Sequence, residues 1–282
     1  MAPESIAVIT LTARRPQMLR RAMASVAAQD YDGHIEHVIV IDNDPDTVPV
    51  VTGEPARSGL GRTIRLVPRP PAEAGAVQQT RSLIYPRLSR LFNIGVRAAS
   101  ASWIAFLDDD NEYEPNHLSS LMACVRTHNV RAVHSARQIL WADGEPYLDE
   151  VFPSAANREE GERIFQLMCE RGHWIRGTNI LQDHVDSDQQ QTFRNSTVLG
   201  SDDPTFLVDQ NVWLIERQLL IELPIPETFS EADIENNTCP DDKMLEVMVR
   251  NRIDIRPTRL PTVRYYLGGV SNNQQERSVT TS

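Results

Sequence analysis

Three consecutive carboxylates, Asp108-Asp109-Asp110, end the apolar run W-I-A-F-L at residues 103–107. Adjacent anions repel one another, and no Lys or Arg stands beside these in the sequence. Such a triplet makes chemical sense where a positive group, usually a divalent cation, sits among the acids. The simpler reading is a solvated acidic turn whose Asp or Asn caps the next helix. A second apolar run, residues 38–41, also ends in acids, Asp42-Asn43-Asp44-Pro45-Asp46. A metal held by carboxylates can neutralise a departing diphosphate, and an Arg on the helix before the triplet can clamp the same phosphates with two bonds. Arg87 and Arg90 stand in that position. Taken singly, each is as easily a solvated residue on a helix face.

The elements that must hold these acids follow from periodicity. Five apolar residues before the triplet suit a strand buried on both faces. Residues 6–11 (I-A-V-I-T-L) read as a first strand and 12–16 as a turn. Residues 18–28 form an amphipathic helix with Leu19, Ala22, Met23 and Val26 on one face. With 38–41 as the next strand, this is the βαβ signature of a parallel sheet, which binds ligands at the carboxyl ends of its strands. Further on, the pattern predicts a strand at 63–67, a loop at 72–80, and helices at 86–99 and from Pro115 to about Thr127. Strands are expected around Val133 and Ile139, and a helix at 157–170. Residues 172–203 are polar and give no clear assignment. A strand is expected at 206–215, helices at 217–221 and 240–251, and a last strand at 253–255. The segment 272–282 reads as a disordered tail.

Bulk properties narrow the function. The chain has 282 residues, 28 Lys and Arg against 39 Asp and Glu, and a net charge of −11. That balance argues against general nucleic-acid binding, which needs a basic footprint. Cys124, Cys169 and Cys239 are far apart and odd in number, so neither a zinc ribbon nor a disulfide framework is expected. M-A-P-E-S lacks the basic start of a signal peptide. No apolar run reaches the roughly 20 residues of a membrane span. A cytoplasmic protein is the expectation. Glycine-rich phosphate loops and the G-x-S-x-G elbow are both missing, which disfavours dinucleotide oxidoreductases, P-loop enzymes and serine hydrolases.

The segments V-I-T-L-T-A-R, S-V-A-A-Q-D-Y, V-I-V-I-D-N-D, R-L-F-N-I-G and F-L-D-D-D-N-E-Y-E-P follow one another over residues 5 to about 125. In this order and spacing they resemble the family-2 inverting glycosyltransferases of the GT-A fold, and the D-D-N-x-Y-x-P form is similar to that of bacterial spore-coat enzymes. The resemblance implies an α/β fold with a Rossmann-like, mixed but mostly parallel sheet flanked by helices. An irregular C-terminal acceptor lobe would complete it. Residues 1–142 would be the nucleotide-sugar-binding half and 143–271 the acceptor and catalytic-base half of one domain. It further implies that Thr10, Leu11, Thr12 and Ala13 line the base and ribose, and that Asp42 or Asn43, with Asp44 nearby, contacts the base. Arg87 would meet the diphosphate, with Arg90 and Asn93 on the same helix. Asp108 and Asp110 would form the D-x-D, Asp110 binding Mg²⁺ or Mn²⁺ most directly and Asp109 reaching the ribose.

In such enzymes a carboxylate takes the proton of the acceptor hydroxyl. The resemblance puts it at Asp241-Asp242, at the start of the helix K-M-L-E-V-M-V-R-N, with Asp242 as the base. Apart from the resemblance, an Asp there simply offsets the helix dipole; Glu231 and Asp233 are the runners-up. Two departures stand out. The family's C-terminal His, which completes the metal shell, is missing, the matching stretch being Y-Y-L-G-G-V-S. Thr12-Ala13-Arg14 also lacks the family's aromatic. His173, Trp174 and Arg176 form a candidate acceptor wall, although core packing explains Trp174 as readily. Asp183-His184-x-Asp186-x-Asp188 reads as an exposed acidic loop rather than a calcium loop.

The expected activity is inverting transfer from a UDP- or dTDP-linked sugar to the hydroxyl of a small-molecule or soluble glycan acceptor. Neither nucleic acid nor a membrane span takes part, and a homo-oligomer is compatible with the sequence. A sugar nucleotidyltransferase and a non-catalytic nucleotide-sugar-binding module are the alternatives.

Overall fold

The structure, a computed structural model, describes residues 4–54, 60–68, 81–195 and 203–268. Strand β1 (Ile6–Thr12), helix α1 (Pro16–Ala27), β2 (Ile35–Asp42), α2 (Thr47–Gly53) and β3 (Leu60–Val67) come first. Helix α3 (Arg81–Ala98), β4 (Trp103–Phe106), β5 (Glu112–Tyr113), α4 (His117–His128) and β6 (Ala132–Leu140) follow. The rest comprises α5 (Arg158–Glu170), β7 (Ile180–Leu181), α6 (Ser187–Asn195), a 3₁₀ turn (Gln210–Val212) and β8 (Trp213–Glu216). Helices α7 (Arg217–Glu222), α8 (Glu231–Glu235) and α9 (Pro240–Arg250) then lead to β9 (Ile255–Tyr266).

Among the described residues, nine strands join one sheet in the order β3-β2-β1-β4-β8-β6-β9-β5, with β7 attached to β6. The first four are mutually parallel. β8 runs antiparallel to both β4 and β6, and β9 is parallel to β6. The mixed, mostly parallel expectation is met. Alternation explains how the sheet is covered. Ile39 and Ile41 of β2 pack with Leu19 and Met23 of α1 and Val51 of α2. Val38 and Val40 lie in the main core with Leu91, Phe92 and Val96 of α3. Helix α3 approaches β1 closely at Gly95, where a Cβ would sit 2.6 Å from Ile9 Cγ2. The glycine of R-L-F-N-I-G is therefore a packing requirement.

Several expected elements are corrected. The strand foreseen at 206–215 is reduced to β8, because the Asp209 side chain accepts from the Asn211 N–H and turns the backbone into the 3₁₀ segment. The strand foreseen at 253–255 grows to β9, whose Arg, Pro and Thr residues hide any period. Its pairing with β6 shifts register between His134 and Arg137, opposite Pro257 and Pro261. One strand, β6, replaces the two expected around Val133 and Ile139. Helix α3 starts at Arg81, so Pro86 lies inside it rather than at its first turn. Helix α2 was not legible in T-V-P-V-V-T-G, and β7 and α6 occupy part of the unassigned stretch. The expected loop at 72–80 and tail at 272–282 lie outside the described residues.

Candidate active site

The carboxyl ends of β1, β2 and β4 lie side by side, and each carries part of the site. Past β1 the chain turns through Arg14, at φ 59°, and past β2 through Asn43, at φ 51°. Left-handed backbone costs a non-glycine residue about 1–2 kcal/mol, and hydrogen bonds offset it here. The Arg14 N–H donates to Asp44 Oδ2 at 2.8 Å, and the Thr47 hydroxyl donates to the same oxygen at 2.5 Å. The Thr47 bond, helped by Arg14, holds the buried Asp44 carboxyl below the usual range. Asp44 thus braces the two turns instead of reaching for a base. Thr10 is likewise corrected: fully buried, its Oγ1 lies 2.9 Å from His37 Nε2 within the sheet.

The triplet at the end of β4 is not left to itself. The Thr12 hydroxyl donates to Asp109 Oδ2 at 2.7 Å. Arg15 Nη1 donates to Asp109 Oδ1 at 3.1 Å and Asp110 Oδ2 at 2.8 Å. Asp108 has a different partner, Asn211 of the 3₁₀ turn, which accepts from its N–H and donates to Oδ2. Burial pushes Asp109 up to about 6, against the pull of Arg15. Burial also raises Asp110, and lifts Asp108 well above the carboxylate range with further repulsion from Asp110 and Asp209. Gln29 fixes the following chain to α1: its Nε2 donates to Glu114 O and its Oε1 accepts from the Leu118 N–H.

Arg87 and Asp42, expected to meet different parts of a nucleotide, meet each other. Arg87 Nε donates to Asp42 Oδ1 at 2.9 Å, and Nη2 reaches the same oxygen. Arg87 and Arg90 line a small cavity of about 180 Å³ with Ser82, Leu83, Pro86 and Glu227. Asn93, expected on the same helix, donates from Nδ2 to Ile225 O at 2.8 Å and to Glu227 Oε1 of that cavity at 2.9 Å, and its Oδ1 accepts from the Ile225 N–H at 3.1 Å.

Helix α9 brings the last acids. Pro240 starts it, and the Cys239 N–H and Sγ–H both donate to Asp242 Oδ2 at 2.9 Å, so Asp242 closes a capping box. Burial, then the charges of Asp242 and Asp209, push Asp241 up to about 7. Burial also raises Asp242, against the Cys239 bonds. Asp209 is the common neighbour, since its charge acts on Asp108, Asp110, Asp241 and Asp242 alike. Arg137 of β6 is paired with Asp209 Oδ2 and lies 3.0 Å from Asp183 Oδ2, an ion pair without hydrogen-bond alignment. Its guanidinium packs over the Tyr265 ring at 4.7 Å.

Asp183 is therefore no exposed loop acid; it is buried against Arg137. Of the runner-up bases, Asp233 is tied to Ser230 and Lys243, while Glu231 is exposed. The acceptor wall is corrected as well. Trp174 is in the satellite core with Tyr147, Phe165 and Met168, and its Nε1 donates to Thr178 O. His173 is buried, and Arg176 faces outward to Glu150 and Gln166.

Sequence reasoning missed Arg15, Arg137, Asp209 and Asn211. Arg15 had a signal, because it follows the first strand at the same sheet edge as the acids. The others come from segments whose tertiary position no local pattern reveals. Among the described residues, no three His, Cys, Asp or Glu side chains already converge on one metal-sized point. The donor chemistry nevertheless suits a hard divalent cation: Asp108, Asp109, Asp110 and Asp209 offer only oxygen and outnumber the nearby arginines.

Residues 86–166 match the glycosyl transferase family 2 signature. The chain is 29% identical over 134 residues to the galactofuranosyltransferase GlfT1 of Mycolicibacterium smegmatis, a match covering 46% of this chain and 38% of the relative. Its fold is similar to that of S. aureus TarS 1-349, with a TM-score of 0.54, 13% identity, and coverage of 93% of this chain and 60% of that one. TarS 1-349 in complex with UDP gives a TM-score of 0.55 at 12% identity, with the same coverage. The complex with UDP-GlcNAc gives 0.53 at 13%, covering 93% and 58%. These likenesses establish the GT-A fold. The chain spans less than two thirds of the length of each of these relatives. No described helix is long and apolar enough to cross a membrane.

Proposed function

We propose that the chain is an inverting glycosyltransferase that moves a sugar from a UDP- or dTDP-linked donor to an acceptor hydroxyl. One observation carries this reading. The triplet of β4 and helix α9 meet at one 3₁₀ turn, where Asn211 donates to Asp108 Oδ2 at 2.8 Å and Gln210 Nε2 donates to Met244 Sδ at 3.9 Å, which supports a site between the donor-side and base-side acids. The complexes of TarS with UDP and UDP-GlcNAc support a UDP-type donor.

In this reading the acceptor O–H gives its proton to the carboxylate of Asp242, with Asp241 beside it. The freed oxygen attacks C1 of the sugar in line, and the bond from C1 to the diphosphate oxygen breaks. The nucleoside diphosphate leaves with both electrons, and the configuration at C1 inverts. Carboxyls raised towards neutrality by burial are strong enough bases for this step near pH 7. Asp108 and Asp110 would hold Mg²⁺ or Mn²⁺, which when bound offsets the charge of the departing diphosphate. Thr12 and Arg15 hold Asp109 where it can meet the ribose. Arg87 is poised beside the donor edge, and its exchange of Asp42 for phosphate would complete the clamp. A small-molecule or soluble glycan acceptor in the cytoplasm is the matching context.

Product analysis tests the proposal. Purified protein supplied with UDP- and dTDP-sugars, acceptors and Mn²⁺ should release nucleoside diphosphate and an inverted glycoside. Release of pyrophosphate would instead point to nucleotidyl transfer and sink the reading.

A further inference from the structure

Asn211 is 1% exposed, and its side chain is spent on two acids at once. Oδ1 accepts from the Asp108 N–H at 2.6 Å. Nδ2 donates to Asp108 Oδ2 and to Asp209 Oδ1, both at 2.8 Å, and the Asn211 N–H adds a 2.9 Å bond to Asp209 Oδ1. Asp209 is itself locked, by Arg137 at Oδ2 and by its own N–H donating to Asp183 Oδ1 at 3.1 Å. Arg137 is held in turn against Asp183 and the Tyr265 ring. A buried line of partners therefore runs from β6 and the 3₁₀ turn to the end of β4.

The chemistry of that line is restrictive. A buried carboxylate, Asp209, and a half-buried one, Asp108, need a neutral donor between them, and Asp108 also presents an N–H that needs an acceptor. Asparagine supplies both from one short amide. Aspartate would add a third anion, leucine would fill the space without any bond, and glutamine is a methylene too long. With Oδ2 taken, Asp108 Oδ1 receives no hydrogen bond from the described residues.

The geometry points to Asn211 as a positioning residue of the donor site: it sets the orientation of the Asp108 carboxylate, and Asp209, locked by Arg137, sets Asn211. This rests on the reading of Asp108 as a donor-side ligand given above. Affinity for the donor's diphosphate is then controlled from the C-terminal half of the chain, by a residue that never touches the donor.

The test uses the full chain carrying Asn211→Ala, Asn211→Leu or Asn211→Ser. Binding of UDP and of dTDP, each with Mn²⁺, is measured by calorimetry, and amide hydrogen exchange is followed at Asp108. Alanine and leucine should each weaken nucleotide binding by about tenfold or more and speed Asp108 exchange comparably, while core strands stay protected. These losses correspond to removal of hydrogen bonds to a charged group. Serine, which keeps a donor and an acceptor, should recover part of the affinity, and it carries the test if the other two fail to fold. Leucine binding within about twofold of wild type would show mere space filling and overturn the inference, since leucine matches the shape but makes no bond. Faster Asp108 exchange with unchanged nucleotide binding would overturn it too. Wild-type protein that binds neither nucleotide would instead bring down the reading of the site, and this inference with it.

Discussion

One nitrogen of Arg15, Nη1, lies 3.1 Å from Asp109 Oδ1 and 2.8 Å from Asp110 Oδ2. The cation comes from the turn after β1 and the acids from the end of β4, 94 and 95 positions away. Arg15→Met removes the hydrogen-bonding counter-ion from the buried Asp109 and the half-buried Asp110. A loss of about 1–3 kcal/mol of unfolding free energy is expected near neutral pH. The loss should shrink below the Asp109 value of about 6, where that carboxyl is already protonated. Urea unfolding at two pH values checks this, and an equal loss at both would show that the charge pairing is not what stabilises.

Asp241 and Asp242 should separate by kinetics. Asp242→Asn is expected to lower kcat by about 100-fold or more with little change in donor KM, as befits loss of a general base. Asp241→Asn removes the neighbouring anion, so it should keep most of the rate and move the acidic limb of the pH profile downward. The reverse ranking in steady-state assays would hand the base role to Asp241.

Arg87 and Asp42 form a largely buried ion pair, with side chains 7% and 14% exposed. Removing one member strands the other, at a cost of about 3 kcal/mol. Arg87→Met should therefore destabilise the protein strongly, and the pair Arg87→Met with Asp42→Leu should recover much of the loss. A double-mutant cycle by thermal unfolding measures the coupling. If Arg87 clamps the diphosphate as proposed, nucleotide affinity should stay low in both.

In the ligand-free protein the raised carboxyls should contribute a loss of stability as pH rises from about 4 to about 7, measured as the difference between wild type and the Asp183→Asn and Asp241→Asn variants. In the folded state Asp109 titrates near 6, and Asp183 and Asp241 near 7. Across that window these carboxyls hold more protons in the folded than in the unfolded chain and so contribute a negative slope, against the positive slope of His37, His117 and His134, which burial keeps neutral. Mn²⁺ with UDP should reverse the trend, raising Tm more at about pH 8 than at about pH 5, since cations bind ionised carboxylates. A thermal-shift series with and without the ligands decides it; a ligand effect independent of pH would refute the linkage.

Much of the donor half was legible because its signals are local. β1, β2 and β4 are short, β-branched or aliphatic runs, α1 has its apolar stripe, and acids follow the strand ends. Each follows from backbone periodicity alone, so the sheet edge that carries Asp42 and Asp108 could be read from residues 6–110. Local logic does not reveal the partners that Thr10, Asp44 and Asn93 find in the fold: His37, Thr47 and Ile225.

The C-terminal half was less legible for a physical reason. β8 and β9 insert between and beside strands that are distant in sequence, and β9 carries Arg, Pro and Thr where a periodic strand would carry aliphatics. The sequence by itself determined the fold class, the acid triplet and the helix-capping acids of α9. Only the tertiary structure decided who partners them: the cation Arg15 for Asp109 and Asp110, the neutral amide of Asn211 for Asp108, and the cation Arg137 for Asp209. Counter-charges act through space, and local periodicity sets only which face a residue occupies, so these partners become definite once the strands are ordered.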